Sequence, residues 1–411
     1  MLAFNHRVIY VLFGFILHFS IVSGLRLEPN KVRSWKVPEG PSDFPETTDE
    51  KLELSKKLDF GIAISGGSLR AAGNALGYLR ALNEKPVDVL KDAKYIAINS
   101  GATWVTIIAL FAAAAELSSK KLTASEFSTI LGQRLEEGPK FLAQSKFLDR
   151  LIDNILLTVS SLGLLSAPSP PPTTTTSGSD SAKPSPLDLI KPLIAQIMQS
   201  RGPPKPVVPV QNAWSEAVKE FLVAHNQVDP PYISFSDNFR DSVAKYFPFL
   251  IVAGGLQISK DKNGSPSDSY SLPFEFTPTY CGVPVADQVA DSTVPTGFIE
   301  PFAFNCDYSQ DKRVEVDSTN PKRFFQPRIN NVNNELTKIS DVSGISSNYL
   351  VQKYYESFAM VTGMVADYNL GLSAEVLMQP FVTKYHFWAP KSDGSSLQGG
   401  SHVFSDGGAE F

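Results

Sequence analysis

The sequence predicts an α/β protein whose central sheet contains parallel strands with helices on its faces. Two strand–turn–helix units follow one another within residues 59–115. In the first, a short apolar strand ends at Gly66-Gly67, and apolar residues then recur at three- and four-residue spacing. In the second, a strand of similar length turns at Ser100 and leads into an Ala/Ile/Leu/Phe-rich helix. Two consecutive βα units are typical of a parallel sheet.

The turns of these two units predict an acyl-transfer site. Parallel βα units place their turns at the carboxyl end of the sheet, where open α/β folds bind ligands. Gly66 and Gly67 lack Cβ atoms, so a substrate can approach backbone N–H groups at a helix N-terminus. Ser100 stands on a sharp strand-to-helix turn that resembles a nucleophile elbow. Taken alone, a Gly-Gly before a helix is more often a turn or a phosphate site than an oxyanion hole, and a Ser-Gly after a strand is usually a helix cap.

The end of the chain offers a base for that serine. Asp406 opens an Asp-Gly-Gly turn directly after a strand-like pair, Val403-Phe404, and Ser405. A serine hydroxyl needs a base to lose its proton at neutral pH, and a desolvated carboxylate can act as that base. A hairpin turn is the structural alternative for the same residues.

Other catalytic assignments stay open at this point. Ser346 is a second candidate nucleophile, although Ser347-Asn348 follows it where an elbow requires Gly. His402 lies four residues before Asp406, which would allow a Ser-His-Asp triad. His225 and His386 lack acidic or Cys neighbours at ligand spacing, so no metal site is predicted. The Gly66 turn lacks the Gly-Lys-Ser/Thr of a P-loop, which argues against a nucleotide-binding ATPase.

The composition is that of an ordinary globular protein. A hydrophobic content of 43% and a charged content of 19% argue against a disordered chain. The formal net charge of −5 gives no reason to expect a nucleic-acid partner, and no basic run would hold an anionic membrane. Two cysteines are too few for a disulfide scaffold.

The N-terminal residues 1–24 predict a secretory signal peptide. His6 and Arg7 precede a nearly unbroken apolar run over 8–22, and the small residues Ser23-Gly24 follow it. This order favours cleavage after Gly24 and a secreted or lumenal protein. A signal anchor, which would leave the protein attached to the membrane, is the alternative.

Two further expectations depend on that signal peptide. In an oxidising compartment Cys281 and Cys306 could pair as a disulfide. Asn263, in Asn-Gly-Ser, would be an N-glycosylation acceptor.

Four motifs in order resemble one known family. SGGSLRAAGNALGYLRAL, INSGATW, FEFTP and DGG look like the phospholipase B/lysophospholipase family and its relatives, the cytosolic phospholipase A2 catalytic domains. These are patatin-like acyl hydrolases with a Ser–Asp dyad. The similarity runs from about residue 59 to the C-terminus, and it is most specific where Ser-Gly-Gly-x-x-Arg-Ala precedes Ser-Gly-x-x-Trp.

The resemblance assigns roles to five residues. Ser100 matches the nucleophile, and Asp406 matches the base that activates it. Gly66 and Gly67 match the oxyanion hole. Arg70 matches an arginine thought to hold the phosphoryl headgroup, and its guanidinium could offer a bidentate fork to a phosphodiester.

The resemblance also implies a three-layer α/β/α fold with a mostly parallel central sheet. The expected organisation is an extended lead-in at 25–54 and one catalytic domain at 55–411. A helical cap or insertion is expected at 122–231, containing a disordered Pro/Thr/Ser-rich loop at 167–186. Family members continue beyond the Asp-Gly-Gly turn, whereas this chain stops at 411. We therefore expect either a C-terminally truncated product or a fold that closes differently.

The expected activity is hydrolysis of acyl esters in phospholipids or lysophospholipids through an acyl-enzyme. No cofactor is needed for this chemistry, and calcium would be implied only by a separate lipid-binding domain. The partner is a lipid substrate met transiently at a membrane or micelle surface. Ile98 and Ser68 stand where the family usually has Gly, which motivates the alternative of a catalytically impaired lipid-binding relative. A serine peptidase is a third alternative.

Overall fold

The computed structural model describes separate stretches of the predicted domain and part of the segment that precedes it. The described residues are 32–38, 40–107, 109–110, 113, 126, 128–136, 215, 218, 246–259, 269–285, 294–308, 324–325, 329–330, 339–348, 383–391 and 397–407. The predictions for the signal segment 1–24, the loop 167–186, most of the cap and the acceptor Asn263 fall outside these residues.

Twelve strands and two bounded α-helices are formed by the described residues. The strands are β1 (Ser34–Trp35), β2 (Leu58–Ile64), β3 (Ala93–Asn99), β4 (Phe249–Ser259), β5 (Ser269–Phe276), β6 (Cys281–Val283), β7 (Gly297–Ile299), β8 (Asp307–Tyr308), β9 (Phe324–Phe325), β10 (Ile329–Asn330), β11 (Lys384–Pro390) and β12 (Leu397–Asp406). The helices are α1 (Ser68–Asn83) and α2 (Ile339–Ser346), with further helical residues at 103–107 and 128–136.

The two predicted βα units are present. Strand β2 pairs in parallel with β3, and β3 pairs in parallel with β4. Helix α1 connects β2 to β3 and packs its apolar stripe, including Ala72, Leu76 and Leu79, into the main core. That stripe follows the helical period, which is why the sequence predicted this helix. Within the described residues, no helix is both long enough and apolar enough to cross a bilayer.

The expectation of a mostly parallel sheet is wrong. The ten-stranded sheet runs β11-β12-β4-β5-β6-β7-β1-β9, with β2 and β3 joined to β4 off this path. Only the β2–β3 and β3–β4 pairs are parallel, and the remaining pairs in the sheet are antiparallel. Short connections explain antiparallel pairs such as β5–β6, which are joined by residues 277–280 alone. A parallel pair would need a crossover connection of a dozen or more residues.

Strand β4 is the centre of the sheet because it pairs with three strands. Strand β5 occupies one edge over 252–259. On the other edge, β3 runs parallel to β4 as far as the pair Asn99–Ala253. Strand β12 runs antiparallel to β4 on that same edge and ends at the pair Asp406–Gly254. Because β3 and β12 run in opposite directions, their carboxyl ends meet beside Ala253 and Gly254.

The core beside this junction is aromatic. The ring of Phe274 lies within 5.1 Å of the rings of Phe276, Phe387 and Phe404, measured between centroids. All four side chains are at most 1% exposed. Edge-to-face and tilted aromatic pairs of this kind fix the strands that carry them, so β12 is held firmly next to β4 and β5.

The segment that precedes β2 packs on the sheet. Strand β1 lies between β7 and β9. Leu52 and Leu54 form a second, smaller apolar cluster with Phe249, Tyr280 and Phe298. The part of the expected lead-in that the structure describes therefore contributes both a strand and buried side chains to the domain.

The expected disulfide is not formed. Cys281 and Cys306 are both buried thiols and no disulfide joins them. Cys281 sits in the ladder between β5 and β7, opposite Phe276 and Ile299. The thiol of Cys306 donates to the Phe302 carbonyl within its own turn, at 3.6 Å between sulfur and oxygen. Burial also raises the pKa of the Cys281 thiol well above its usual value, which keeps it protonated and unreactive.

Candidate active site

Ser100 occupies a sharp turn at the carboxyl end of β3. Asn99 is the last strand residue, Ser100–Ala102 form a single 3-10 turn, and helical residues begin at 103. The backbone of Ser100 has a φ of 50°, a left-handed conformation that non-glycine residues adopt rarely. Thr103 donates from its hydroxyl to the Ser100 carbonyl at 2.7 Å. This is the geometry of a nucleophile elbow.

The Gly-Gly turn of the first βα unit lies against that elbow. A Cβ atom placed on Gly66 would collide with the Cβ of Ser100 and would stand 3.2 Å from its Oγ. Gly67 has a φ of 141° and is the N-cap of α1, a conformation that favours glycine. No acidic residue lies in the first turn of α1, so the positive end of the helix dipole is not offset there. The turn therefore offers bare backbone beside the serine hydroxyl.

Asp406 lies on the same edge of β4 as the end of β3, although it comes from the other end of the chain. It is the last residue of β12 and pairs with Gly254, one step beyond the Ala253 that pairs with Asn99. Asp406 is buried, with 4% of its surface exposed. Gly407 follows with its Cα against the Ala253 carbonyl, where a Cβ would not fit. No hydrogen bond joins the Ser100 hydroxyl to the Asp406 carboxylate within the described residues.

A serine-rich turn at the end of α2 supports both strand ends. The Ser346 hydroxyl accepts from the Ser100 N–H at 2.9 Å and donates to the Ala253 carbonyl at 2.6 Å. Asn348 donates from its side chain to the Phe404 carbonyl in β12 at 2.7 Å. These hydrogen bonds connect the end of α2 to β4, to β12 and to the turn that follows β3.

Two more hydrogen bonds fix the helix that follows the elbow. The hydroxyls of Thr103 and Ser343 lie 2.8 Å apart. The indole N–H of Trp104 donates to the Ser347 hydroxyl at 2.9 Å. Because all four residues are at most 3% exposed, these bonds satisfy polar groups that water does not reach.

Arg70 follows the Gly-Gly turn as the third residue of α1, and its side chain is exposed. It therefore lies on the same rim as Gly66 and Gly67, within one helical turn of them. A guanidinium at this place is accessible to an anionic group of a ligand.

The structure argues against both alternative catalytic residues. Ser346 is 0% exposed, and its hydroxyl already has a donor and an acceptor. His402 lies in β12 four residues before Asp406, roughly 13 Å along the strand at the usual rise of about 3.3 Å per residue. Burial lowers the pKa of His402 to about 4, with smaller contributions from His386 and Lys384.

Asn99 is a site residue that the sequence interpretation missed. Its side-chain oxygen is buried without a hydrogen-bond partner among the residues that the structure describes, and it would stand 3.2 Å from a Cβ on Gly66. The amide therefore faces the same glycine as the Ser100 hydroxyl. Its only signal in the sequence was its position directly before Ser100.

No group of three or more His, Cys, Asp or Glu side chains that could hold a metal ion occurs among the described residues. Ile98, which stands where the resembled family usually has Gly, is 1% exposed and pairs with Ile64 in β2 and Val252 in β4. It is thus an ordinary core residue of a parallel strand.

Comparison with known proteins found similar solved structures only. No protein-family model and no curated protein matches the chain. Human GIVD cytosolic phospholipase A2 is similar over 78% of this chain and 33% of that chain, with 15% identity and a TM-score of 0.37. The same protein in complex with methyl gamma-linolenyl fluorophosphonate covers 62% and 26%, with 17% identity and a TM-score of 0.32. This chain thus spans a third or less of those chains' length, and similarity at this level does not identify its family.

Proposed function

We propose that this protein is a serine acyl-ester hydrolase that removes fatty acyl chains from phospholipids or lysophospholipids. One observation supports this proposal above the others. The carboxyl ends of β3 and β12 meet on one edge of β4, where Asn99 and Asp406 pair with the consecutive residues Ala253 and Gly254. Ser100 follows Asn99 directly and lies against the bare backbone of Gly66. A nucleophile, a carboxylate and glycine amides in one place are the parts that acyl transfer requires.

In the first half of the reaction, Ser100 would attack the ester carbonyl carbon through its Oγ. Asp406 would accept the hydroxyl proton as the new C–O bond forms. The carbonyl oxygen would become an oxyanion, which the N–H groups of Gly66 and Gly67 would stabilise. Collapse of this intermediate would break the bond to the alcohol, and Asp406 would return the proton to the departing alkoxide.

In the second half, water would attack the acyl-Ser100 ester. Asp406 would accept a proton from that water and later return it to Oγ, which releases the fatty acid and restores the enzyme. The Ser100 and Asp406 side chains would need to come within hydrogen-bond reach when substrate binds. Catalytic hydrogen bonds in unliganded proteins are often long and shorten in the substrate complex.

The phospholipid class of substrate rests on Arg70. Its exposed guanidinium, on the rim that carries the two glycines, would pair with the phosphodiester of a headgroup. The acyl ester would then extend from that anchor towards the elbow. The enzyme would meet such substrates transiently at a membrane or micelle surface.

A fluorophosphonate probe tests the proposed function, because it phosphonylates activated serines. We expect labelling of the wild type and turnover of a lysophospholipid. Ser100→Ala should abolish labelling, and Ser100→Ala and Asp406→Asn should each lower turnover by about 10⁴-fold or more. Ser405→Ala is a matched control, because Ser405 neighbours Asp406 and is 0% exposed but its hydroxyl faces Ser271.

Three outcomes would contradict the proposal. A folded wild type that binds lysophospholipid without labelling or turnover would be a lipid-binding protein. Turnover of peptide substrates without lysophospholipid turnover would indicate a peptidase. Labelling that persists in Ser100→Ala would assign another nucleophile.

The cellular location follows as part of the same proposal. Residues 1–24 would direct the chain into the secretory pathway, where Asn263 would be available for glycosylation. Mass spectrometry of the protein from eukaryotic cells checks both points. A retained residue 1 with membrane association would indicate the anchor alternative, and cytosolic retention would refute the location.

A further inference from the structure

Among the described residues, the hydroxyl of Ser346 is the hydrogen-bond partner that joins the backbone N–H of Ser100 to another element. It accepts from the Ser100 N–H at 2.9 Å and donates to the Ala253 carbonyl at 2.6 Å. A hydroxyl has one proton and two lone pairs, so both roles are compatible. Ser346 is 0% exposed, so water does not replace either partner.

The position of this bond matters because the β3 ladder ends one residue earlier. Asn99 is the last β3 residue paired with β4, opposite Ala253. The next position along that edge of β4 belongs to Asp406 of β12, opposite Gly254. The Ser100 N–H therefore has no place in the hydrogen-bond ladder between β3 and β4. It donates instead to the side chain of Ser346 in α2.

The conformation of Ser100 explains why it needs such a partner. A residue other than Gly at a φ of 50° is strained, and that strain persists only where surrounding contacts fix the backbone. Ser346 fixes the N–H side of Ser100, and Thr103 fixes the carbonyl side at 2.7 Å. The direction of the Ser100 hydroxyl follows from the backbone held between them.

The same turn of chain also reaches the strand that carries the carboxylate. Asn348, which is 3% exposed, donates to the Phe404 carbonyl at 2.7 Å. Phe404 lies two residues before Asp406 in β12. The end of α2 thus contacts both strand ends whose separation decides whether hydroxyl and carboxylate can meet.

We propose that Ser346 is a positioning residue of the active site. It acts through Ser100, by holding the elbow in the conformation that keeps the hydroxyl beside Gly66. Asn348 complements it by fixing β12. This inference rests on the proposed hydrolase function and assigns a role to a serine-rich turn that the dyad and the oxyanion hole leave unexplained.

The test compares Ser346→Ala with Ser347→Ala. The two serines are neighbours, and the Ser347 hydroxyl also accepts one bond, from Trp104, and donates another, to the Ser343 carbonyl at 2.6 Å. Each variant leaves a buried donor without its side-chain acceptor, so similar losses of stability are expected. Ser346→Ala should lower kcat and the rate of fluorophosphonate labelling by about 10- to 100-fold with KM nearly unchanged. Ser347→Ala should leave kcat within about twofold.

Equal kcat values for the two variants, whether both fall or neither does, would overturn the inference, because they would show a merely structural role. If Ser346→Ala does not fold, Ser346→Cys carries the same comparison, since a thiol has similar shape but donates and accepts weakly. Ser346→Thr retains the hydroxyl and should recover part of kcat. A wild type without labelling or turnover would instead refute the proposed function before any variant is made.

Discussion

Asn99 and Asp406 occupy consecutive positions along one edge of β4, opposite Ala253 and Gly254. One ends a parallel strand and the other ends an antiparallel strand, so the chain directions converge. The candidate site lies at this junction of parallel and antiparallel pairing. That arrangement brings together parts of the chain that lie about three hundred residues apart in sequence.

Gly66→Ala should abolish most activity without unfolding the protein. The added Cβ would collide with the Cβ of Ser100 and stand 3.2 Å from its Oγ. It would therefore displace the elbow and fill the space that the proposed oxyanion would occupy. We expect kcat for a lysophospholipid to fall by about 10²-fold or more. Steady-state kinetics and fluorophosphonate labelling measure the effect.

Gly73→Ala is the matched control. Gly73 lies inside α1, and a Cβ there would have open space, with nothing within 4 Å. Alanine in a helix interior should stabilise the protein by roughly 0.5–1 kcal/mol and leave kcat unchanged. Activity that survives Gly66→Ala would place the oxyanion site elsewhere.

Arg70→Gln should discriminate between substrates with and without a phosphodiester. The exposed guanidinium would contact only the headgroup, so we expect kcat/KM to fall by about tenfold or more for a lysophospholipid. A neutral acyl ester should be hydrolysed as before. Arg80→Gln is the control, because Arg80 lies near the other end of α1 beside Glu84 and Glu136. Equal losses on both substrates would contradict the assigned role.

The parts of this fold that the sequence predicted are local ones. Strands β2 and β3 and helix α1 follow from apolar periodicity over a few turns, and two consecutive βα units place Gly66 near Ser100. The antiparallel remainder could not be predicted in this way, because the choice of strand partner is set by contacts between distant segments. The expected disulfide failed for the same reason, since sequence spacing does not show which way each thiol points.

The supporting residues of the site were the least predictable part. The sequence around Ser346 indicates only a candidate nucleophile, whereas its bond to Ser100 spans 246 positions in the sequence. Asp406 was found through its Gly-Gly turn, but its position depends on β12 pairing with β4. No local pattern encodes either relationship.

Gly282→Ala should strongly destabilise the sheet. Gly282 has a φ of 157°, and a Cβ there would collide with the Gly297 carbonyl in β7. Because backbone atoms on both strands would have to move, we expect a loss of about 3 kcal/mol or more in the free energy of unfolding. Gly400→Ala in β12 is the control, since the nearest atom to its Cβ would be 3.8 Å away. Urea denaturation that shows equal stability for both variants would contradict the β6–β7 packing.

Glu46 should make the stability of the fold depend on pH. The residue is 4% exposed, and burial raises the pKa of its carboxyl from 4.5 to about 7, with a further contribution from the charge on Glu275. Burial raises the pKa of Glu275 as well, against a hydrogen bond from Tyr280. Both carboxyls therefore bind a proton more tightly in the folded protein than in the unfolded chain.

The sign of the effect follows from that difference. As the pH rises from 4.5 to about 7, the unfolded chain has already lost the Glu46 proton while the folded protein still holds it, so the free energy of unfolding falls. At about 1.4 kcal/mol per pKa unit the total effect is on the order of 3 kcal/mol. Glu46→Gln keeps the shape without the charge. It should therefore be more stable than the wild type at pH 8 and show a shallower slope, with the Glu275 contribution remaining. Urea denaturation across this pH range measures how the free energy of unfolding changes with pH. Glu50→Gln, at an exposed position, should show the same change as the wild type. If Glu46→Gln also shows the wild-type change, Glu46 is not the titrating group.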